Sequence, residues 1–275
     1  MTPHPSQIRL IATDLDGTLL RHDKTISERT VAAIRLAHAA GLQVVAATGR
    51  YPTTLAALLT PVGIDYAVAS NGAQGYRLTT GELLFEENLP AEAARAIIDY
   101  LSGRLDGVRF EAVVDHGAVH YVQPGYYELV HDVERRMFPL DYRELDTEEM
   151  LRHPIVKLAV RHPSAAPEAM LDLLAGSDVS GYHATTSGAP FLEISGPGVT
   201  KASGVARLAG HLGFEPHEVL AIGDARNDVE LLEWSGIGVA MGNAVAEAVA
   251  AADHTTASND EDGFARAIER LIAHS

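Results

Sequence analysis

The chain has 275 residues, 47% of them hydrophobic, a formal net charge of −16 at pH 7 and no cysteine. This length suits one large or two modest domains, and the negative charge disfavours nucleic acids and anionic membranes as partners. The absence of cysteine excludes disulfides, thiolate catalysis and cysteine-ligated zinc. Residues 1–7 lack the apolar core of a signal peptide and no apolar run could span a membrane, so we expect a cytoplasmic protein.

Strands and helices alternate in the first quarter of the chain. Apolar runs predict strands, while periodic segments with Ser27 as N-cap and Gly41 as a C-terminal stop predict helices. The strands are expected at 8–12, 42–47 and 66–69, and the helices at 25–40 and 53–59. This alternation is typical of a doubly wound parallel sheet.

From residue 84 the pattern changes to hairpins mixed with helices. Asp115-His116-Gly117 joins strands 108–114 and 118–122, and strands 179–185 and 191–194 are expected to pair antiparallel. The other expected elements are helices 90–101, 126–137 and 167–174 and a strand at 155–160. The sequence therefore predicts an α+β module at 84–189, inserted between core segments 1–83 and 190–275.

The last third returns to the first pattern. Helix 201–212 precedes strand 219–222, and four further elements follow. They are helices 229–233, 244–252 and 263–273 and a strand at 237–241. The predicted fold class is α/β, with a doubly wound parallel sheet as the core and an inserted α+β domain.

Two aspartates end the first predicted strand. Asp14 and Asp16 are two residues apart, so in an extended chain both side chains would face one site. Two such carboxylates repel unless a cation lies between them, and their oxygens suit Mg²⁺. Three interpretations stay open: an acidic turn shaped by Gly17, an Asp-x-Asp metal site for a nucleotide diphosphate as in glycosyltransferases, or a phosphoryl-transfer site with a nucleophilic aspartate.

Other strand ends carry polar groups as well. Thr48-Gly49 follows the second strand, and Asp224, Asn227 and Asp228 follow strand 219–222. Each has a structural explanation, as a strand exit or a helix cap, and Lys201 alone would be a solvated side chain. Because carboxyl ends of parallel strands share one sheet edge, the joint occurrence favours a functional site.

These segments resemble the motifs of the haloacid dehalogenase (HAD) superfamily. Asp14-Leu15-Asp16-Gly17-Thr18 is similar to motif I, Thr48-Gly49-Arg50 to motif II, Lys201 to motif III and Gly223-Asp224 with Asn227-Asp228 to motif IV. The segments 70–73 and 238–243 resemble the Cof-like (type IIB) branch. The resemblance covers essentially the whole chain, departs at Ala202 where glycine is usual, and implies a Rossmann-like core with a C2-type cap.

The resemblance also implies roles for individual residues. Asp14 would be the nucleophile and Asp16 the general acid and base. Mg²⁺ would be held by the Asp14 carboxylate, the Asp16 backbone carbonyl and Asp224, with Asp228 holding metal-bound water or orienting Lys201. The phosphoryl-binding groups would be Thr48, Lys201, Asn227 and the backbone N–H groups of Leu15 and Gly49.

The resulting hypothesis is a Mg²⁺-dependent phosphatase of a small phosphorylated metabolite, such as a sugar phosphate or a nucleotide-like cofactor. It would bind neither nucleic acid nor membrane, and would be a monomer or small homo-oligomer. The alternatives are a phosphomutase on the same scaffold, a phosphatase of the sucrose or mannosylglycerate pathways, and a phosphosugar-binding regulator without catalysis. A glycosyltransferase would leave Lys201 and the segment at Asp224 unexplained.

Overall fold

A computed structural model describes residues 7–137 and 140–274, with the side chains of residues 133, 136 and 137 left aside. The described residues form two compact units, one drawn from 7–85 and 200–274 and the other from 86–199. The predicted boundary after residue 83 lies close to the structural one. The second predicted boundary, after Ala189, differs from the structural one after Val199, because strand 192–195 pairs with strands of the second unit. Residues 1–6, which carried most of the argument against a signal peptide, lie outside the described part.

The first unit contains a mixed eight-stranded sheet in the order β14-β13-β12-β1-β2-β3-β4-β5. Its strands are β1 Leu10–Thr13, β2 Gln43–Ala47, β3 Tyr66–Ala69, β4 Gln74–Arg77, β5 Glu82–Glu86, β12 Val219–Gly223, β13 Ile237–Ala240 and β14 His254–Thr255. The neighbours from β14 to β3 pair parallel, and β4 turns back antiparallel on β3. The α/β prediction is confirmed, although β4, β5 and β14 were not predicted.

Helices cover both faces of this sheet. They are α1 Glu28–Ala39, α2 Leu55–Leu59, α7 Lys201–Leu212, α8 Val229–Trp234, α9 Ala246–Ala251 and α10 Gly263–Ala273. Alternate residues of β1 explain the two layers: Ile11 packs with α1, α2 and α10, whereas Leu10 and Ala12 pack with α7, α8 and α9. Burial on both faces leaves the strand ends as the place where polar side chains can collect.

The second unit contains a six-stranded sheet in the order β10-β11-β9-β6-β7-β8. Its elements are β6 Arg109–Val114, β7 Val119–Val122, β8 Tyr142–Glu144, β9 Lys157–Arg161, β10 His183–Thr185, β11 Leu192–Ser195, α3 Ala91–Ser102, α4 Asp132–Met137, α5 Thr147–Met150 and α6 Pro167–Ala175. The predicted β6–β7 hairpin and the β10–β11 pair are present. The helix expected over 126–137 is instead a 3₁₀ turn, Tyr127–Leu129, followed by α4.

One sheet face in the second unit packs on α3 and α6, and the other carries buried pairs of charged and polar side chains. Lys157 Nζ donates to Glu193 Oε1 at 2.9 Å, and His120 Nδ1 lies 2.6 Å from Glu111 Oε1. These pairs satisfy charged groups that would otherwise be costly to bury. Among the described residues, no helix combines the length and apolar character needed to cross a bilayer.

Candidate active site

The end of β1 carries the two aspartates of the first motif. Asp14 is buried, and its N–H donates to the carbonyl of Ile222 in β12, which continues the parallel pairing by one residue. The chain then turns, with the N–H of Thr18 donating to the carbonyl of Leu15. Because the strand has ended, the alternation expected for an extended chain no longer applies to Asp16.

Asp14 forms a buried cluster with Lys201 and Asp228. The ammonium of Lys201 donates to Asp14 Oδ1 and to Asp228 Oδ1, both at 2.6 Å, and its side chain is 1% exposed. Thr200 caps α7 by accepting from Ser203 N, which fixes Lys201 as the first helical residue. Burial lowers the pKa of Lys201, but the two carboxylates outweigh it and hold that pKa above its ordinary value. Lys201 is therefore a permanent cation.

The carboxylates around this lysine are crowded. Burial raises the pKa of Asp14 well above its ordinary range, and Asp228 and Asp224 add to the rise against the pull of Lys201. Burial and Asp228 together raise the pKa of Asp224 to about 6. Two carboxyl groups thus share one ammonium and a third, that of Asp224, lies beside them, so the cluster carries surplus negative charge when all are ionised.

The same three carboxylates fit a metal ion. One oxygen from each of Asp14, Asp224 and Asp228 lies within 4.8 Å of the others. Hard oxygen donors with surplus negative charge suit Mg²⁺. The carboxylate of Asp228 is the most occupied, because its Oδ1 accepts from Lys201 and its Oδ2 accepts from the N–H groups of Asp224 and Ala225. Asp228 therefore already accepts three hydrogen bonds within the protein.

Two residues outside the predicted set hold Asp224. Thr18 Oγ1 donates to its Oδ1 at 2.7 Å, and Asn243 donates both to its Oδ2 at 3.4 Å and to the carbonyl of Gly17 at 2.9 Å. Gly17 has φ +89°, and a side chain there would collide with Asp224. Only glycine satisfies both the turn and this close approach.

The carboxylate of Asp16 belongs to a separate ion cluster. Arg50 binds it with two bonds, Nε to Oδ2 at 2.6 Å and Nη2 to Oδ1 at 2.7 Å, and Lys24 Nζ binds Oδ1 at 2.8 Å. Burial opposes ionisation, but hydrogen bonds from Arg50 and Lys24 lower the pKa of Asp16 to about 2. The expectation that the Asp14 and Asp16 side chains face one site stays a prediction, and the structure adds that the Asp16 carboxylate is paired with Arg50 and Lys24.

Lys24→Met tests this cluster. Because the folded pKa of Asp16 lies below its unfolded value of about 3.9, the pairing stabilises the fold above about pH 4 and is lost as pH falls towards 2. Both side chains are about one-third exposed, so we expect the variant to lose only about 0.5–1 kcal/mol at pH 6. Urea unfolding at pH 6 and pH 3 should show that the difference in free energy of unfolding between wild type and Lys24→Met is smaller at the lower pH. Lys24→Arg is the charge-matched control. A difference that is the same at both pH values would contradict an ion pair between Lys24 and Asp16.

The predicted phosphoryl-binding groups lie on neighbouring loops of the same sheet. Thr48 is buried at the end of β2, and its N–H donates to the carbonyl of Val68 in β3. Leu15 is buried beside Asp14, Gly49 is half-buried beside Thr48, and Asn227 is buried in the 3₁₀ turn Arg226–Asp228. The side chain of Asn227 donates to Asn71 Oδ1 at 2.9 Å, a partner that the sequence did not suggest.

Some of the contacts that were not predicted had a signal in the sequence, and others had none. Thr18 stands inside the first motif, so its proximity to Asp224 had a signal. Asn71 and Asn243 stand inside the segments 70–73 and 238–243 that resemble the Cof-like branch, but their partners had no signal, and Lys24 had none at all. Lys24 and Asn71 both adopt left-handed backbone conformations, with φ +67° and +56°.

Comparison with known proteins identifies the family of this chain. A family model for haloacid dehalogenase-like hydrolases matches residues 11–268. A phosphoglycolate phosphatase of Natronomonas pharaonis is 34% identical, over 94% of this chain and 96% of its own. A 5-amino-6-(5-phospho-D-ribitylamino)uracil phosphatase of Bacillus subtilis is 29% identical, over 96% of this chain and 97% of its own.

Solved structures share the whole fold. A HAD subclass IIB sugar phosphatase superposes with a TM-score of 0.81 at 26% identity, covering 96% of this chain and 98% of that one. A phosphatase of the superfamily from Bacteroides thetaiotaomicron also gives 0.81 at 26% identity, covering 98% of both chains. The chain belongs to the haloacid dehalogenase-like hydrolase family, and the predicted resemblance is confirmed. It is an enzyme of the phosphatase type within that superfamily.

Proposed function

We propose that this chain hydrolyses phosphate monoesters of small metabolites, with Mg²⁺ and through an aspartyl-phosphate on Asp14. The observation that carries the proposal is the buried Asp14 carboxylate between Lys201 and the carboxylates of Asp224 and Asp228. A purely structural ion pair would not need three carboxylates around one ammonium, since each unmatched buried charge is costly. A site that receives a divalent cation explains the surplus.

The proposed chemistry has two displacements at phosphorus. An Asp14 carboxylate oxygen forms a bond to phosphorus while the bond from phosphorus to the ester oxygen breaks, and Asp16 gives its proton to that oxygen. Asp16 then accepts a proton from water as the water oxygen bonds to phosphorus and the bond to Asp14 breaks. The products are the alcohol and inorganic phosphate, and both aspartates return to their starting forms.

Mg²⁺ would be held by the carboxylates of Asp14 and Asp224 and the backbone carbonyl of Asp16, and it would supply charge neutralisation between nucleophile and phosphate. Lys201 would add a fixed positive charge beside Asp14. Thr48, Asn227 and the N–H groups of Leu15 and Gly49 would bind phosphoryl oxygens.

The contacts of Asp16 impose a condition on this chemistry. With Arg50 and Lys24 on its carboxylate, Asp16 is held ionised and cannot donate a proton. Its role as general acid therefore requires at least one of these contacts to break. An incoming phosphoryl dianion competes with Asp16 for Arg50, which gives Arg50 a role on the substrate side.

Relatives indicate the kind of substrate. Those named above act on phosphoglycolate, a ribitylamino-uracil phosphate and sugar phosphates. We propose a small phosphorylated metabolite of these kinds, a sugar phosphate or a nucleotide-like cofactor, with the second unit as the cap that selects it. We further propose a cytoplasmic monomer or small homo-oligomer.

Metal removal tests the reaction. We expect purified protein to release phosphate from members of a monoester panel with Mg²⁺ and to lose that release in EDTA. Asp224→Asn should require far more Mg²⁺ for half-maximal release, because it removes one anionic ligand, whereas the exposed Asp178→Asn should match wild type. Release that is unchanged in EDTA would contradict the proposal, and isomerised product without free phosphate would favour the phosphomutase.

A further inference from the structure

The turn after β3 lies among the proposed phosphoryl-binding elements. The N–H groups of Ser70 and Asn71 donate to the carbonyls of Arg50 and Thr48, both at 3.0 Å. Gly72 has φ +106° and fits against the start of α7, where any side chain would collide with the carbonyl of Thr200. The turn is therefore fixed between the loop at Thr48 and the helix that begins at Lys201.

The backbone of this turn is strained. Ser70 and Asn71 have φ of +51° and +56°, in the left-handed region that side chains other than glycine rarely adopt. Such conformations persist where surrounding contacts enforce them, and they concentrate at functional sites. Asparagine tolerates this region better than most residues, so backbone geometry alone gives one explanation for its presence.

The side chain of Asn71 supplies an independent observation. Asn71 is 2% exposed, and its Oδ1 accepts from Asn227 Nδ2 at 2.9 Å. Its own Nδ2 is buried and has no hydrogen-bond partner within the described residues. A buried amide donor without a partner is destabilising, and it indicates a place where a ligand completes the hydrogen bonding.

We infer that Asn71 is a phosphoryl-binding residue, which donates from Nδ2 to an oxygen of the transferring group and is held in orientation by Asn227. The inference rests on the proposed phosphatase function and extends its binding set. Asn227 uses one N–H of its amide on Asn71 and keeps its second N–H for the phosphoryl oxygen proposed above. The phosphoryl group would satisfy the buried donor, and Thr48 and Lys201 would bind its other oxygens.

Two substitutions separate this role from backbone geometry. Asn71→Gly keeps the left-handed backbone and removes the amide, whereas Asn71→Asp keeps an acceptor for Asn227 and replaces the donor with a carboxylate. We expect Asn71→Gly to melt within a few degrees of wild type, whereas Asn71→Asp buries a carboxylate and should melt at a lower temperature. For Asn71→Gly, kcat/KM should fall about ten- to a hundredfold, as expected for loss of one hydrogen bond to a charged group. Asn71→Asp should fall further, through repulsion of the phosphate.

A binding measurement accompanies the kinetics. Inorganic phosphate with Mg²⁺ should raise the melting temperature of wild type, and this shift should shrink in both variants. If Asn71→Gly kept both the activity of wild type and its phosphate-induced rise in melting temperature, the inference would be overturned and Asn71 would have only a backbone role. If Asn227→Asp lost activity and the phosphate-induced shift while Asn71→Gly and Asn71→Asp kept both, the phosphoryl donor would be Asn227 instead. If wild type itself neither hydrolysed any ester nor responded to phosphate, the proposed function would fail, a result distinct from these.

Discussion

Asp14→Asn should lose phosphatase activity without losing stability. The substitution removes the nucleophilic oxygen but preserves shape, so we expect kcat to fall by at least about a thousandfold, as in other enzymes that lose a nucleophile. Phosphate release with Mg²⁺, measured on the best ester of a panel, gives this value directly. Activity within tenfold of wild type would exclude Asp14 as nucleophile.

The stability of the same variant is informative because its expected sign is unusual. Asp14 is one of three carboxyl groups that crowd Lys201, and its pKa is raised well above the ordinary range. Removing its charge relieves repulsion from Asp224 and Asp228, so without metal the free energy of unfolding should equal or exceed that of wild type. A large loss would show that the Asp14–Lys201 bond matters more to the fold than this repulsion does.

Lys201→Met should be the most destabilising of the substitutions considered. It leaves Asp14 and Asp228 buried without their shared cation, and loss of one partner from a buried ion pair costs about 3–5 kcal/mol. Denaturant unfolding at neutral pH without metal measures this cost. Turnover should be lost as well, because the ammonium beside the nucleophile is gone.

The stability that Lys201→Met loses should depend on pH. Without the ammonium, the pKa of Asp14 rises further above its unfolded value, so the variant loses stability as pH rises from about 4 through that raised pKa. Mg²⁺ should return part of the stability, and so should Asp228→Asn in the same chain, which removes one unmatched charge. A loss of stability that is the same at low and neutral pH, and that neither Mg²⁺ nor Asp228→Asn reduces, would indicate lost packing instead of unpaired charge.

The fold could be predicted where local sequence carries the information. Helices α7 and α10 match the predicted residues 201–212 and 263–273, because each has a regular apolar face and α7 ends at Gly213 in a left-handed cap. The two-residue β14 and the strands β4 and β5 were missed, because β14 depends on pairing with β13, β4 on pairing with β3 and β5 on pairing with β4 more than on their own residues.

The site could be predicted only in part. Asp14 and Lys201 lie 187 positions apart in the sequence, so only the family resemblance placed them together. The ion pairs of Asp16 with Arg50 and Lys24 were not predicted, and the side chain of Lys24 reaches Asp16 from a left-handed turn. The amide contact between Asn71 and Asn227 likewise joins two loops 156 positions apart.

The most direct test of the central claim is the stereochemical course at phosphorus. A phosphorothioate monoester made chiral at phosphorus with two oxygen isotopes would be hydrolysed in water that carries the third isotope, and the configuration of the thiophosphate product would be determined. Two in-line displacements, first by Asp14 and then by water, predict net retention. Net inversion would show a single direct attack by water, would reduce Asp14 to a metal ligand and would contradict the aspartyl-phosphate.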